Sequence, residues 1–198
     1  MAKMVDKQKV IRLDRNESGL DHLVSTLQMK ITNEDLCLYF DPETDEKLLK
    51  LLSQYVDHPV DNLMLANGST NFLRLIADHY IRKETDEVIS LWPSYIDMIE
   101  FIEIRGGNMK YYNFTPENRN ELMTNKMKHK LLEPLIDLER TKLIYLVSPN
   151  NPIDILWYPN EIEFLCQNYP TIPILIDQAY YEFQSQSQFQ TFHSNTIL

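Results

Sequence analysis

From residue 63 onward the chain alternates between short apolar runs and longer stretches where apolar residues recur every three or four positions. Leu63-Met64-Leu65-Ala66, Glu87-Val88-Ile89-Ser90-Leu91-Trp92, Lys142-Leu143-Ile144-Tyr145-Leu146-Val147 and Ile172 to Ile176 are runs of strand length. Continuous apolar runs of this kind suit strands covered on both faces. The Tyr-rich stretch from Asn108 to Phe114 reads as one more strand. Between them, Thr70 to about Ile81 sets Phe72, Leu73, Leu75, Ile76 and Tyr80 on one side of a helix. Tyr95 to Ile104 is a second helix, closed by Arg105-Gly106-Gly107, and Pro159 to about Asn168 a third. A helix is also predicted over about 42–55, with Pro42 in its first turn and Leu48, Leu49, Leu51, Leu52 and Tyr55 as its apolar face. The first forty residues carry turn formers at Asp14, Asn16, Ser18 and Gly19, with room for one short helix near 20–30. Residues 115–140 are polar, with helical character near 120–138.

Strands alternating with helices predict an α/β fold with a mostly parallel, helix-covered sheet. The expected organisation is an N-terminal segment over 1–40, a large domain over 41–183 and a polar tail over 184–198. In such sheets ligands sit beyond the carboxyl ends of the strands. The distinctive polar residues of this chain fall there.

Composition narrows the reading only modestly. With 43% hydrophobic and 24% charged residues, the chain has the make-up of a soluble globular protein. A formal net charge of -10 argues against a general nucleic-acid binder, which needs a basic face. No apolar run approaches the ~20 residues of a membrane span, and Met1 to Lys7 lacks a signal-peptide core. A cytoplasmic setting is expected. Cys37 and Cys166 have no metal-ligand spacing, so two buried or half-buried thiols and no metal site are expected.

Four groups at the strand ends carry chemistry. Asn67-Gly68-Ser69-Thr70-Asn71 turns the chain into a helix. It is either a plain turn with Ser69 as cap, or an anion cradle built from free N–H groups and the helix dipole. Trp92-Pro93-Ser94-Tyr95 places an aromatic after a strand, either half-buried or stacked on a flat ring. Ser148-Pro149-Asn150-Asn151-Pro152 is either a Pro-Asn turn or a device that points the Asn151 amide into the crevice. Asp177, directly after Ile174-Leu175-Ile176, needs a partner, either a metal or a protonated nitrogen. A metal phosphate site would want a phosphate loop with a lysine, which is absent, so the ring nitrogen ranks first.

Order and spacing of the four match one plan. From about Ile11 to Phe183 the chain resembles pyridoxal-phosphate (PLP) aminotransferases of fold type I, and most closely the histidinol-phosphate aminotransferase group. Ile11-Arg12-Leu13-Asp14-Arg15-Asn16-Glu17 is similar to that group's opening segment, and Tyr39-Phe40-Asp41-Pro42 to its Tyr-Pro-Asp-Pro. Asn67-Gly68-Ser69, Pro93-Ser94-Tyr95, Pro149-Asn150-Asn151-Pro152 and Asp177-Gln178-Ala179-Tyr180 follow in register. The resemblance implies a large domain of that fold, with PLP as cofactor. It implies that Gly68, Ser69 and Thr70 hold the phosphate through backbone and side chains, and that Tyr95 stacks on the ring. It further implies that Asn151 and Tyr180 bond the ring oxygen, and that Asp177 keeps the ring nitrogen protonated. Tyr39 would reach the cofactor of a neighbouring subunit, which implies a dimer. The implied activity is amino-group transfer between an amino acid or amino-phosphate donor and a 2-oxo acid.

Two departures modify the expectation. Ile153-Asp154 stands where the family has Thr-Gly, removing backbone freedom and adding a charge. No Lys or Arg follows Lys142, so no catalytic residue is assigned: the Schiff-base lysine and the arginines that follow it in the family have no counterpart. The chain therefore reads as a truncated aminotransferase, its sheet lacking the last strands, its cofactor held non-covalently at most, and unable to transaminate alone. Family topology puts the missing strands between 63–67 and 172–177, so the first strand should lie detached or re-paired, two edges should be uncovered and stability should be marginal. A complementing C-terminal half is one expected partner. The alternatives are a non-catalytic PLP- or phosphate-binding remnant, or half of a threonine-phosphate decarboxylase-like enzyme.

Overall fold

The computed structural model describes Asn16, residues 32–37, Tyr39, and residues 41–124, 127–183 and 196–197. The expected helix near 20–30, most of the opening segment and most of the tail lie outside them. The chain divides into two units, Met1–Glu43 and Thr44–Leu198. The first holds helix α1 (Asn33–Cys37). Its Cys37 is exposed rather than buried, whereas Cys166 in the second unit is partly covered. Helix α2 (Pro42–Val56) forms as its periodicity predicts. None of its residues is buried, and Leu48, Leu51 and Tyr55 of its apolar face are exposed.

Five strands, β1 (Glu87–Trp92), β2 (Asn108–Asn113), β3 (Thr141–Val147), β4 (Ile174–Asp177) and β5 (Thr196–Ile197), form one parallel sheet in the order β2-β1-β3-β4-β5. Successive side chains on a strand point to opposite faces, and two cores result. Val88, Leu143, Tyr145, Val147 and Leu175 pack with Leu73 and Ala77 of α3 (Ser69–Tyr80) and Met98 and Ile102 of α4 (Ile96–Ile104). Ile89, Leu91, Ile144, Leu146, Ile174 and Ile176 pack with Ile162 and Leu165 of α7 (Pro159–Asn168). Leu122 of α5 (Arg119–Thr124) and Leu132 of α6 (His129–Leu132) complete that second core. The polar 115–140 stretch thus forms short helices rather than one long one.

Glycine decides one close approach. A Cβ on Gly107 would lie 2.6 Å from the Ile81 side chain, so β2 can begin only where that side chain is missing.

The 63–66 run lies detached from the sheet, one of the two outcomes expected for it, and it does not hold the strand conformation expected of it. Residues 63–66 are unpaired and at most partly covered, with Met64 exposed. Leu63 instead closes a 3-10 turn by donating its N–H to the Val60 carbonyl. A strand needs an edge to join. The β4 edge is taken by β5, in the register Ile174↔Thr196 and Leu175↔Ile197. The segment expected to be wholly tail therefore contributes a strand. Among the described residues no helix is long and apolar enough to cross a membrane.

Candidate active site

The chain leaves β1 through α4 to reach β2 on one side, then comes back to β3 on the other side of β1. α4 covers one face of the sheet and α7 the other. The connections part at the carboxyl ends of β1 and β3, and a crevice opens where they do. A cleft open to solvent is lined there by Ser69, Tyr95, Val147, Asn151, Asp177, Ala179 and Tyr180. Five of these seven are residues that the sequence singled out, drawn from segments more than a hundred positions apart.

At one end stands the amino terminus of α3. Gly68 precedes it at φ 77° and ψ 168°, a conformation that side-chain-bearing residues avoid, and no side chain caps the helix. A Cβ at Gly68 would touch nothing within 4 Å, so backbone geometry rather than crowding selects glycine. Uncapped first-turn N–H groups and the helix dipole favour an anion.

Thr70 faces a group that the motifs did not include. The Thr70 hydroxyl donates to Asp97 Oδ2 at 3.1 Å, and the Tyr95 phenol donates to the same oxygen at 2.7 Å. The two hydroxyl oxygens lie 3.2 Å apart. The Thr70 hydrogen bond pulls the Tyr95 phenol down. Its bond to Asp97, burial, and the charges of Asp97 and Asp177 outweigh that pull and raise it above the ordinary value. Asp97 was legible only as a first-turn acid two residues after Tyr95.

At the other end, Asp177 closes β4 and is 8% exposed. Its Oδ2 accepts the Tyr145 phenol at 3.0 Å, and its Oδ1 accepts the Ala179 N–H at 3.1 Å. Among the described residues no lysine, arginine or histidine pairs with it. Tyr145 was missed as a site residue because it sits inside an apolar strand. The signal was its hydroxyl, which must find a partner when buried.

The Pro149–Pro152 turn is held by Asn150, whose N–H donates to the Ile155 carbonyl at 2.9 Å and whose carbonyl accepts the Asp154 N–H at 2.7 Å. Asp154, at the position where the resemblance leads one to expect glycine, adopts φ 57°. Aspartate is among the few side-chain-bearing residues that tolerate this region, so the turn accommodates a left-handed residue there without glycine. Asn151 and Tyr180 line the cleft directly. Tyr39 belongs to the first unit and is fully exposed.

The family profile for aminotransferase class I and II matches residues 8–196. The chain belongs to that family. A histidinol-phosphate aminotransferase from Clostridium kluyveri is 28% identical over 180 residues, covering 89% of this chain and 48% of the relative. A dihydroxyacetone phosphate transaminase from Campylobacter jejuni is 26% identical, covering 91% of this chain and 48% of the relative. The chain thus spans about half the length of the curated relatives it matches. Among solved structures, histidinol-phosphate aminotransferase from Sinorhizobium meliloti in complex with pyridoxal-5'-phosphate superposes with a TM-score of 0.67 at 19% identity, over 80% of this chain and 40% of that one. The fold is accordingly that of fold type I aminotransferases, and PLP is the cofactor these comparisons support.

The cleft residues fit that group. An uncapped helix start suits a phosphate, an aromatic ring and an amide also line the cleft, and a buried carboxylate without a cationic partner among the described residues suits a protonated ring nitrogen. One carboxylate, Asp97, goes beyond what the group needs.

Proposed function

We propose that this chain supplies the cofactor cleft of a PLP-dependent aminotransferase acting between an amino acid or amino-phosphate and a 2-oxo acid. The observation that carries the reading is Asp177. A carboxylate that is 8% exposed, held from behind by two neutral donors and without a basic side chain among the described residues, is costly unless a cation completes it. The protonated nitrogen of a bound pyridine is such a cation.

Each residue then has a task. The backbone of Gly68 and Thr70 and the backbone and hydroxyl of Ser69 hold the phosphate. Tyr95 is the ring platform, and Asn151 and Tyr180 donate to the ring oxygen. Asp177 keeps the proton on the ring nitrogen. When bound, PLP acts as an electron sink for the amino acid's α-carbon. Moving the proton at that carbon needs a base, and no lysine lines this cleft among the described residues. In this reading no catalytic residue is assigned within the 198 residues, and a complementing segment or second chain supplies the lysine. A dimer in which Tyr39 reaches a neighbour's cofactor and a cytoplasmic setting belong to the same reading.

The test is a PLP titration followed by absorbance, with borohydride and mass spectrometry to detect covalent attachment. Saturable, non-covalent binding is expected. Asp177→Asn should weaken it at least about tenfold while leaving the thermal melt unchanged or higher, since a buried charge is removed. Equal affinity of D177N and wild type would sink the ring-nitrogen role. Attachment to one lysine would overturn the absence of a catalytic residue.

A further inference from the structure

Asp97 sits in the first turn of α4, where any carboxylate gains a little from the helix dipole. That alone does not account for its geometry. It caps nothing: the cap position is Tyr95, and no side chain bonds the helix start. Its Oδ2 instead collects the Tyr95 phenol at 2.7 Å and the Thr70 hydroxyl at 3.1 Å. No lysine, arginine or histidine among the described residues pairs with it. Among the described residues, the other ionisable groups whose fields are felt at this corner, Asp177 and the Tyr145 phenol, bring no positive charge.

Two consequences oppose each other. The phenol, tied at its far end, cannot swing, so the ring lining the cleft is held in one orientation. The Thr70 hydroxyl, within hydrogen-bond distance of both Asp97 and the Tyr95 phenol, must give up one of those contacts to donate to a phosphate oxygen, because a hydroxyl donates only once. A phosphate on the α3 turn would also lie within about two hydrogen-bond lengths of the Asp97 carboxylate, roughly 6 Å. Like charges at that range repel by an amount worth on the order of tenfold in affinity.

We infer that Asp97 is a specificity-determining residue of this cleft: it anchors the Tyr95 platform and sets a negative charge beside the phosphate turn, so that the turn holds a doubly charged phosphate less tightly than its uncapped N–H groups alone would. The inference rests on the PLP reading above and goes further, because it assigns the affinity for the phosphate to a residue outside the matched motifs.

The experiment compares equilibrium binding of PLP and of unphosphorylated pyridoxal to wild type, Asp97→Asn and Asp177→Asn, by cofactor absorbance. Asparagine keeps an acceptor for both hydroxyls and removes the charge. D97N should bind PLP about tenfold tighter and pyridoxal within about twofold of wild type. Should D97N melt early, Asp97→Ser carries the same expectation for the ratio of the two affinities. If D177N weakens PLP while D97N leaves that ratio unchanged or lowers it, the Asp97 assignment is wrong and the PLP reading stands. If D97N tightens PLP but D177N binds like wild type, Asp97 is supported and the ring-nitrogen role fails. If no protein binds PLP, both are overturned.

Discussion

The Tyr145 phenol donates to Asp177 Oδ2 across 3.0 Å, with the tyrosine wholly buried beneath the cleft floor. Strand register produces this contact. Tyr145 pairs with Leu175 and Val147 with Asp177, so both polar residues point to the α3–α4 face, one step apart along the strands. The phenol spans that step. Tyr145→Phe should lower stability by about 1–3 kcal/mol, because the buried carboxylate loses a donor and nothing replaces it. Denaturant melts of the two proteins measure this. An unchanged midpoint would mean that Asp177 is solvated well enough not to need the phenol.

Burial, first, and then the charge and hydrogen bond of Asp177 drive the Tyr145 phenol well above its ordinary value. The folded state therefore keeps a proton that the unfolded state releases near pH 10. A group whose folded value is raised stabilises fully below its unfolded value, so stability should fall as pH rises above about 10. Tyr145→Phe should flatten that part of the profile. Tyr111, raised to about 12 chiefly by burial and then by Glu103, contributes in the same direction and should leave a residual slope. A Y145F profile as steep as wild type would place the alkaline sensitivity elsewhere.

Gly68→Ala isolates the backbone cost of the α3 turn. The new methyl would meet nothing, so only the φ of 77° penalises it. A loss of about 1–3 kcal/mol is expected, readable as a lower melting temperature. No loss would show that the turn relaxes freely.

The buried Lys128–Glu161 pair lies on the opposite side of the sheet from the α3–α4 face. Lys128 Nζ contacts Glu161 Oε2 at 2.8 Å, and the Lys128 N–H donates to Oε1. The ammonium also sits over the rings of Trp157 and Tyr158. Burial lowers the lysine's proton affinity, against the pull of Glu161. Glu161→Gln or Lys128→Met alone should cost about 3–5 kcal/mol, because each breaks the buried pair by removing one of its two charges. The double variant should recover more than half of the summed loss. Additive losses in that cycle would mean that the pair is not coupled.

Much of this was legible in the sequence because it is local. Helices α2, α3, α4 and α7 and strands β1, β2 and β3 lie within a few residues of where periodicity and turn chemistry put them. Ser69, Tyr95, Asn151 and Asp177 could be singled out because each follows a strand or opens a helix, and Tyr180 through the resemblance of Asp177-Gln178-Ala179-Tyr180 to the family's motif. Asp97 and Tyr145 could not. One is hidden among ordinary first-turn acids and the other inside an apolar run, and only their hydrogen-bond partners distinguish them. The 63–66 run failed as a strand for a related reason, since apolar content does not provide an edge to pair with.

By itself the sequence determined the alternation of elements, the parallel α/β class, and the identity of the polar residues at the strand ends. These depend on side-chain spacing along 3.6-residue and two-residue periods and on turn residues, all written within short windows. Only the tertiary structure decided the strand order β2-β1-β3-β4-β5, the pairing of β5 with the β4 edge, the exposure of the α2 face, and the convergence of Thr70, Tyr95 and Asp97 on one oxygen. Those depend on which distant segments meet, and no local pattern encodes that.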